Sequence, residues 1–219
     1  MNDGKVEAVF FDLDGTLADT APDLGGALNR LLEEQGREAV DMATLRPYVS
    51  SGARGMVGIG FGMTPQDEAY ADLVRRFLDI YASMLSDGTR LFDGMASLLD
   101  QLESRHIRWG VVTNKSTRFT LPLMETLNLS HRAAAIISGD SAPRPKPAPD
   151  PLLLACANAG VRPDRTLFVG DDLRDIQAAH AAGMPGIAAA WGYLGDGPGI
   201  QEWGANAIID DPLDLLGLL

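Results

Sequence analysis

AVFFDLDGTLADT, residues 8–20, sets four uncharged residues directly before Asp12 and Asp14. Ala8 to Phe11 reads as a buried strand, yet it runs into two carboxylates two positions apart, followed by Gly15 and Thr16. Two negative charges at the edge of a core repel each other and lose hydration. Something must compensate for them, and an Asp-Gly turn alone does not.

Working outward, the chain holds further short apolar runs with the same look: Ile107–Thr113, Ala134–Ser138, Thr166–Gly170, Gly186–Ala190 and Ala207–Asp210. Helical patterns separate most of them, at Gly94–Ser104, Thr117–Leu127, Pro151–Ala159 and Ile176–Ala182. Strands alternating with helices build βαβ units and a parallel sheet covered on both faces. The fold class expected is therefore α/β, a doubly wound parallel sheet. Residues 20 to about 86 break the alternation and contain no convincing strand. Thr20, with Asp23 three positions on, reads as the cap of a first helix ending near Gly36; Thr64, Pro65 and Asp67 read as the start of another. The expectation is a core formed by residues 1–18 and 88–219 with an all-helical domain, 19–87, inserted after the first strand. Its linkers would lie near Ala18–Ala21 and Ser86–Leu91, and the insert could open and close over the strand ends.

With 219 residues, 46% of them hydrophobic, the chain can bury a sizeable core. A formal charge of −12 argues against nucleic-acid and anionic-membrane partners. The single cysteine, Cys156, excludes an internal disulfide and sits in a helical stretch as a small core residue. The N-terminus has no signal-peptide pattern, and no apolar stretch approaches membrane-spanning length, so the cytoplasm is the expected location. His106, His131 and His180 show no metal-ligand spacing.

In open parallel sheets, ligands bind beyond the carboxyl ends of the strands. Just past the strand ends stand Asp12 and Asp14; then Thr113, Asn114, Lys115 and Ser116; then Lys146; then Asp171, Asp172, Arg174 and Asp175. Those residue types suit phosphoryl chemistry. Asp12 and Asp171 are hard oxygen ligands of the kind Mg²⁺ takes, and a cation between them answers the question raised by the opening segment. Thr113 and the N–H groups at the next helix start could hold phosphate oxygens. Lys146 would add positive charge beside them. A carboxylate can act as a nucleophile and a second one, Asp14, can move the proton. Asp172 reads as a helix cap, and Lys115 with Ser116 as a solvated first turn.

DLDGTL, VVTNK, KPAPDP and GDDLRDI resemble, in order, the four motifs of the haloacid dehalogenase-like phosphatases. The resemblance covers nearly the whole chain. It implies an aspartyl-phosphate mechanism with Asp12 as nucleophile and Asp14 as general acid/base. It implies phosphate binding by Thr113, Asn114 and Lys146, and Mg²⁺ held by Asp12, the Asp14 backbone carbonyl and Asp171. Asp175 and Thr16 would stand behind these groups. SSGARGMV, WGVVTNKSTRF, LFVGDDLRDI and WGYLGDGPGIQEWGAN resemble the phosphoglycolate phosphatase group, and more closely still the bacterial N-acetylmuramic acid 6-phosphate phosphatases. A small phosphorylated substrate carrying a carboxylate is implied, acted on by a monomer or weak homodimer. The alternative is a sugar phosphomutase of the same superfamily; Thr16 resembles the hydrolytic members. Arg54, in the glycine-rich stretch of the insert, has two readings: a solvated arginine, or a fork that pairs with the substrate's carboxylate.

Overall fold

The computed structural model describes residues 5–219. Residues 1–4, which belong to the core segment and the N-terminus read above, lie outside the described residues.

Six parallel strands form the sheet: β1 (Ala8–Phe11), β4 (Arg108–Val112), β5 (Ile136–Ile137), β6 (Thr166–Gly170), β7 (Gly186–Ala189) and β8 (Ala207–Ile209), in the order β5-β4-β1-β6-β7-β8. β1 pairs with β4 through Ala8↔Arg108 and with β6 through Ala8↔Thr166. It is the central strand, which explains why all four of its residues are apolar: a parallel strand inside a covered sheet has no solvent face. Val9 and Phe11 pack on α5 (Met95–Ser104) and α6 (Thr117–Thr126), while Ala8 and Phe10 pack on α7 (Asp150–Ala159) and α8 (Leu173–Ala181). Alternation of side chains across a strand thus serves two helical layers.

Between β1 and β4 stand α1 (Ala21–Glu34), α2 (Met42–Leu45), a 3₁₀ turn at Arg46–Ser51, α3 (Gly52–Phe61) and α4 (Tyr70–Ser83). These helices have their own apolar cluster, built from Leu24, Leu28 and Leu31 of α1, Met56 and Val57 of α3, and Phe77, Ile80 and Tyr81 of α4. Phe119 of α6 and Tyr193 join that cluster from the sheet side.

Two local expectations are corrected. Thr20 does not cap α1: its backbone is helical, and its hydroxyl turns to Asp14 Oδ1 at 2.7 Å. Asp23 instead accepts from the Gly88 and Thr89 N–H groups and the Thr89 hydroxyl, tying α1 to the second linker. Thr64 does not start α4, which begins six residues later at Tyr70. Asp67 takes the Thr64 N–H at 2.6 Å and closes a turn there. The two linkers also pair with each other: β2 (Ala18–Asp19) and β3 (Arg90–Leu91) form an antiparallel ribbon, Ala18↔Leu91 and Asp19↔Arg90.

Candidate active site

The strand order reverses at β1, and ligands of open α/β sheets bind at such a switch point. The carboxyl ends of β1, β4 and β6 meet there under α1, α4 and the 3₁₀ turn. They enclose a cavity of about 240 Å³ whose floor carries Asp12, Asp14, Thr113, Lys146 and Asp175.

Lys146 is at the centre of the buried charge. Its Nζ lies 2.9 Å from Asp12 Oδ1 and 2.7 Å from Asp175 Oδ1, and it donates to the Val112 carbonyl at 2.9 Å. Burial disfavours its charge, but Asp12 and Asp175 overcome that and raise its pKa to about 12. It therefore stays an ammonium. Asn114 fixes the backbone that carries it: the Asn114 amide donates to the Lys146 carbonyl at 2.9 Å and accepts from the Lys146 N–H at 3.0 Å. The Asn114 side chain thus holds Lys146 in place, while the residue itself lines the cavity.

Asp171 is fully buried. Its Oδ1 accepts from the Thr16 hydroxyl at 2.7 Å, and its Oδ2 from the Tyr193 N–H at 2.9 Å and the Ser50 hydroxyl at 3.2 Å. Two backbone segments press on it so closely that a Cβ at Gly15 or Gly192 would stand 2.2 or 2.1 Å from an Asp171 atom; Gly15 also has φ +87°. Burial, and then the charges of Asp12 and Asp175, push the Asp171 carboxyl well above its ordinary range. Burial likewise pushes Asp175 up to about 7, against the pull of Lys146. Asp12, Asp171 and Asp175 offer carboxylate oxygens within 4.8 Å of one another. One ammonium shared by two of three buried acids leaves negative charge uncompensated, and the buried Asp12 Oδ1 lacks a well-directed hydrogen bond. The cluster fits a divalent cation with oxygen ligands. Asp172 caps α8 through the Arg174 N–H, with Asp175 closing the reciprocal bond to the Asp172 N–H.

The Asp14 side chain has a separate set of partners. Its Oδ1 accepts from the Thr20 hydroxyl and pairs with Lys115 Nζ at 2.8 Å. This corrects the reading of Lys115 as a solvated residue: its side chain is 7% exposed and stands over the Tyr81 ring, 4.8 Å from the centroid. Asp14 and Tyr81 together keep it charged despite burial. Thr113 is buried at the cavity floor; its hydroxyl accepts from the Lys115 N–H at 3.1 Å and keeps its own hydrogen to donate. The Thr117 N–H at the start of α6 is taken by Asp140. Arg54 is exposed on α3 and is not part of the cavity wall; only its carbonyl is engaged, by the Tyr70 hydroxyl. Arg174 does reach the wall and donates to the Ser50 carbonyl at 2.8 Å, bridging α8 to the insert.

The haloacid dehalogenase-like hydrolase family model matches residues 9–189. This chain belongs to that family. The hydrolase is 42% identical to an N-acetylmuramic acid 6-phosphate phosphatase of Pseudomonas putida, over 96% of this chain and 95% of the relative. It is also 42% identical to a phosphoglycolate phosphatase of Xanthomonas campestris, over 95% and 94% of the two chains. Among solved structures it resembles a predicted phosphoglycolate phosphatase from Haemophilus somnus, with TM-score 0.86 and 27% identity over 99% of both chains. Family and relatives together make this hydrolase a phosphoric monoester hydrolase. Among the described residues, no helix is long and apolar enough to cross a membrane.

Sequence reasoning gives no site role to four residues that the fold brings to the hydrolase site: Lys115, Thr20, Ser50 and Tyr81. Thr20, Ser50 and Tyr81 reach it from the insert, and Lys115 takes its place through partners distant in sequence. Lys115, one residue after Asn114, carries the one legible signal, a cation at a strand end.

Proposed function

We propose that this hydrolase removes phosphate from a small, carboxylate-bearing phosphate monoester, N-acetylmuramic acid 6-phosphate or 2-phosphoglycolate, through a covalent phosphoryl-Asp12 intermediate. The observation that carries the reading is the convergence of Asp12, Asp171, Asp175 and Lys146 beneath one cavity. The names of the relatives support the substrate class.

In the first step an Asp12 carboxylate oxygen attacks phosphorus, and the bond to the ester oxygen breaks. Asp14 hands a proton to that oxygen, so the alcohol leaves neutral. In the second step Asp14 takes a proton from water, whose oxygen attacks phosphorus and releases inorganic phosphate and free Asp12. The Thr20 and Lys115 contacts both fall on Asp14 Oδ1, leaving Oδ2 for the travelling proton. The Thr113 hydroxyl would hold a phosphate oxygen, Lys146 would offset the phosphate's charge from beside Asp12, and Asn114 and Asp175 keep Lys146 in place. A divalent cation, Mg²⁺ by the hardness of the donors, would be held by Asp12, Asp171 and the Asp14 carbonyl, and would offset the charge on the phosphate oxygens. Thr16 would orient Asp171 for it.

Residues 19–87 act as a cap on the core of residues 1–18 and 88–219. The β2–β3 ribbon would be its hinge, and closing it would exclude water from the reacting phosphorus. The enzyme would work in the cytoplasm as a monomer or weak homodimer, with no nucleic-acid or membrane partner.

Phosphate release with Mg²⁺ from both substrates tests the function, with Asp12→Asn and a chelated sample as controls. Asp12-dependent release from one or both supports it. Release that persists in Asp12→Asn overturns the mechanism. Return of the phosphoryl group to sugar, without free phosphate, would favour the phosphomutase.

A further inference from the structure

The wall that the insert presents to the cavity is almost wholly apolar: Leu24, Val49, Ala53, Phe77 and Leu78 contribute no polar side-chain atom. Among these lining residues only Ser50 and Tyr81 carry a hydroxyl, and the Ser50 hydroxyl is spent on Asp171. The Tyr81 hydroxyl is buried, with the residue 1% exposed; the Lys115 ammonium beside it can only donate, so the hydroxyl hydrogen has no acceptor. Tyrosine is placed in a core only where its O–H finds a partner, because an unmade hydrogen bond there costs more than a phenylalanine would. The ring itself is well held, stacked on Phe77 at 6.4 Å and tilted against Phe119 at 5.2 Å. Packing therefore explains the ring and Lys115 the oxygen's lone pair, while the hydroxyl hydrogen is left without an acceptor. Beside it stands Lys115, whose ammonium gives one N–H to Asp14 and has others to give.

We propose that the Tyr81 hydroxyl and the Lys115 ammonium form a subsite for the carboxylate of the substrate, in the place that sequence reasoning offers to Arg54. The inference rests on the phosphatase reading above and deepens it. Asp14 serves the leaving oxygen, so a group held by its partner Lys115 belongs to the alcohol side of the ester and not to the phosphate. The phenol donates one hydrogen bond to a carboxylate oxygen and the ammonium a second. Burial raises the phenol's pKa, so it remains a donor at neutral pH. The apolar wall around the pair excludes water and strengthens both bonds.

Two matched pairs of esters isolate the carboxylate. One is 2-phosphoglycolate against 2-hydroxyethyl phosphate; the other is N-acetylmuramic acid 6-phosphate against N-acetylglucosamine 6-phosphate, which lacks the lactyl acid. We expect wild type to favour the acid in at least one pair. Tyr81→Phe keeps the ring and removes one oxygen. It should cut that preference, as a ratio of kcat/KM values, ~10- to 100-fold, the worth of a hydrogen bond to a charged group, with most of the change in KM. The subsite is overturned if Tyr81→Phe keeps the preference, or if both members of a pair lose kcat/KM equally, as a packing role would give. It is also overturned if wild type hydrolyses the esters without regard to the carboxylate; the phosphatase reading would then stand alone. Release of phosphate from none of the four would remove that reading and the subsite together.

Discussion

The floor and the roof of the cavity are built on opposite principles. The floor, at the ends of β1, β4 and β6, packs Asp12, Asp171, Asp175 and Lys146 into near-complete burial, and most of its polar atoms are engaged by others. The roof, from α1, the 3₁₀ turn and α4, is apolar with one idle hydroxyl. Preorganised charge is useful where the transition state develops charge, because groups already fixed need no rearrangement as the bond breaks. An apolar roof excludes water and leaves selection to a few placed donors. Chemistry and choice of substrate are thereby separable, and substitutions on the two sides should fail differently.

The largest effect is expected at the floor. Asp12→Asn should lower kcat by at least ~10³-fold with the fold intact by circular dichroism, since the covalent step has no substitute. Lys146→Met should lose activity and also about 3 kcal/mol of stability in urea unfolding, because it strands two buried carboxylates. A stable Lys146→Met protein would show that the acids are not held by that ammonium. Between floor and roof, Lys115→Met should reduce kcat roughly 100-fold, the lower end of what a positioned proton-transfer group contributes. An unchanged kcat would detach Lys115 from Asp14's role.

Stability against pH sharpens the contrast further. In the metal-free protein the Asp175 carboxyl is raised from 3.8 to about 7, so between those values the folded state binds more protons than the unfolded one. Thermal stability should fall as pH rises toward and through 7, and Mg²⁺ should restore it by compensating the cluster. Melting curves from pH 5 to 8, with and without Mg²⁺, check this; a midpoint indifferent to the ion would contradict the cluster as a metal site. The smallest effect belongs to the roof's exterior: Arg54→Ala should change kcat/KM by less than about twofold, as for an exposed side chain without a partner.

The floor is largely legible in the sequence and the roof is not. Val9 and Phe11 face one helical layer and Ala8 and Phe10 the other, so a short run of apolar residues suffices to mark a covered parallel strand, and the six strands lie where such runs occur. The acids and Lys146 come directly after strands or in the loops beyond them, and position along the chain then gives position in space. Lys115 reads as solvated because its partners, Asp14 and Tyr81, come from distant elements, and a lysine after a strand looks exposed until they arrive. Thr20 fits a helix cap by spacing but is drawn to Asp14. The β2–β3 ribbon has two residues per strand, too few for alternation to show. The start of α4 falls at Tyr70 because Asp67 closes a local turn that competes with the helix.

The most direct test is to quench a single turnover in acid and map the phosphoryl group by peptide mass spectrometry. Phosphate is expected on the peptide that contains Asp12, and none in Asp12→Asn. Turnover with phosphate on another residue, or with no phosphoenzyme when its breakdown is slowed by Asp14→Asn, would contradict a covalent role for Asp12.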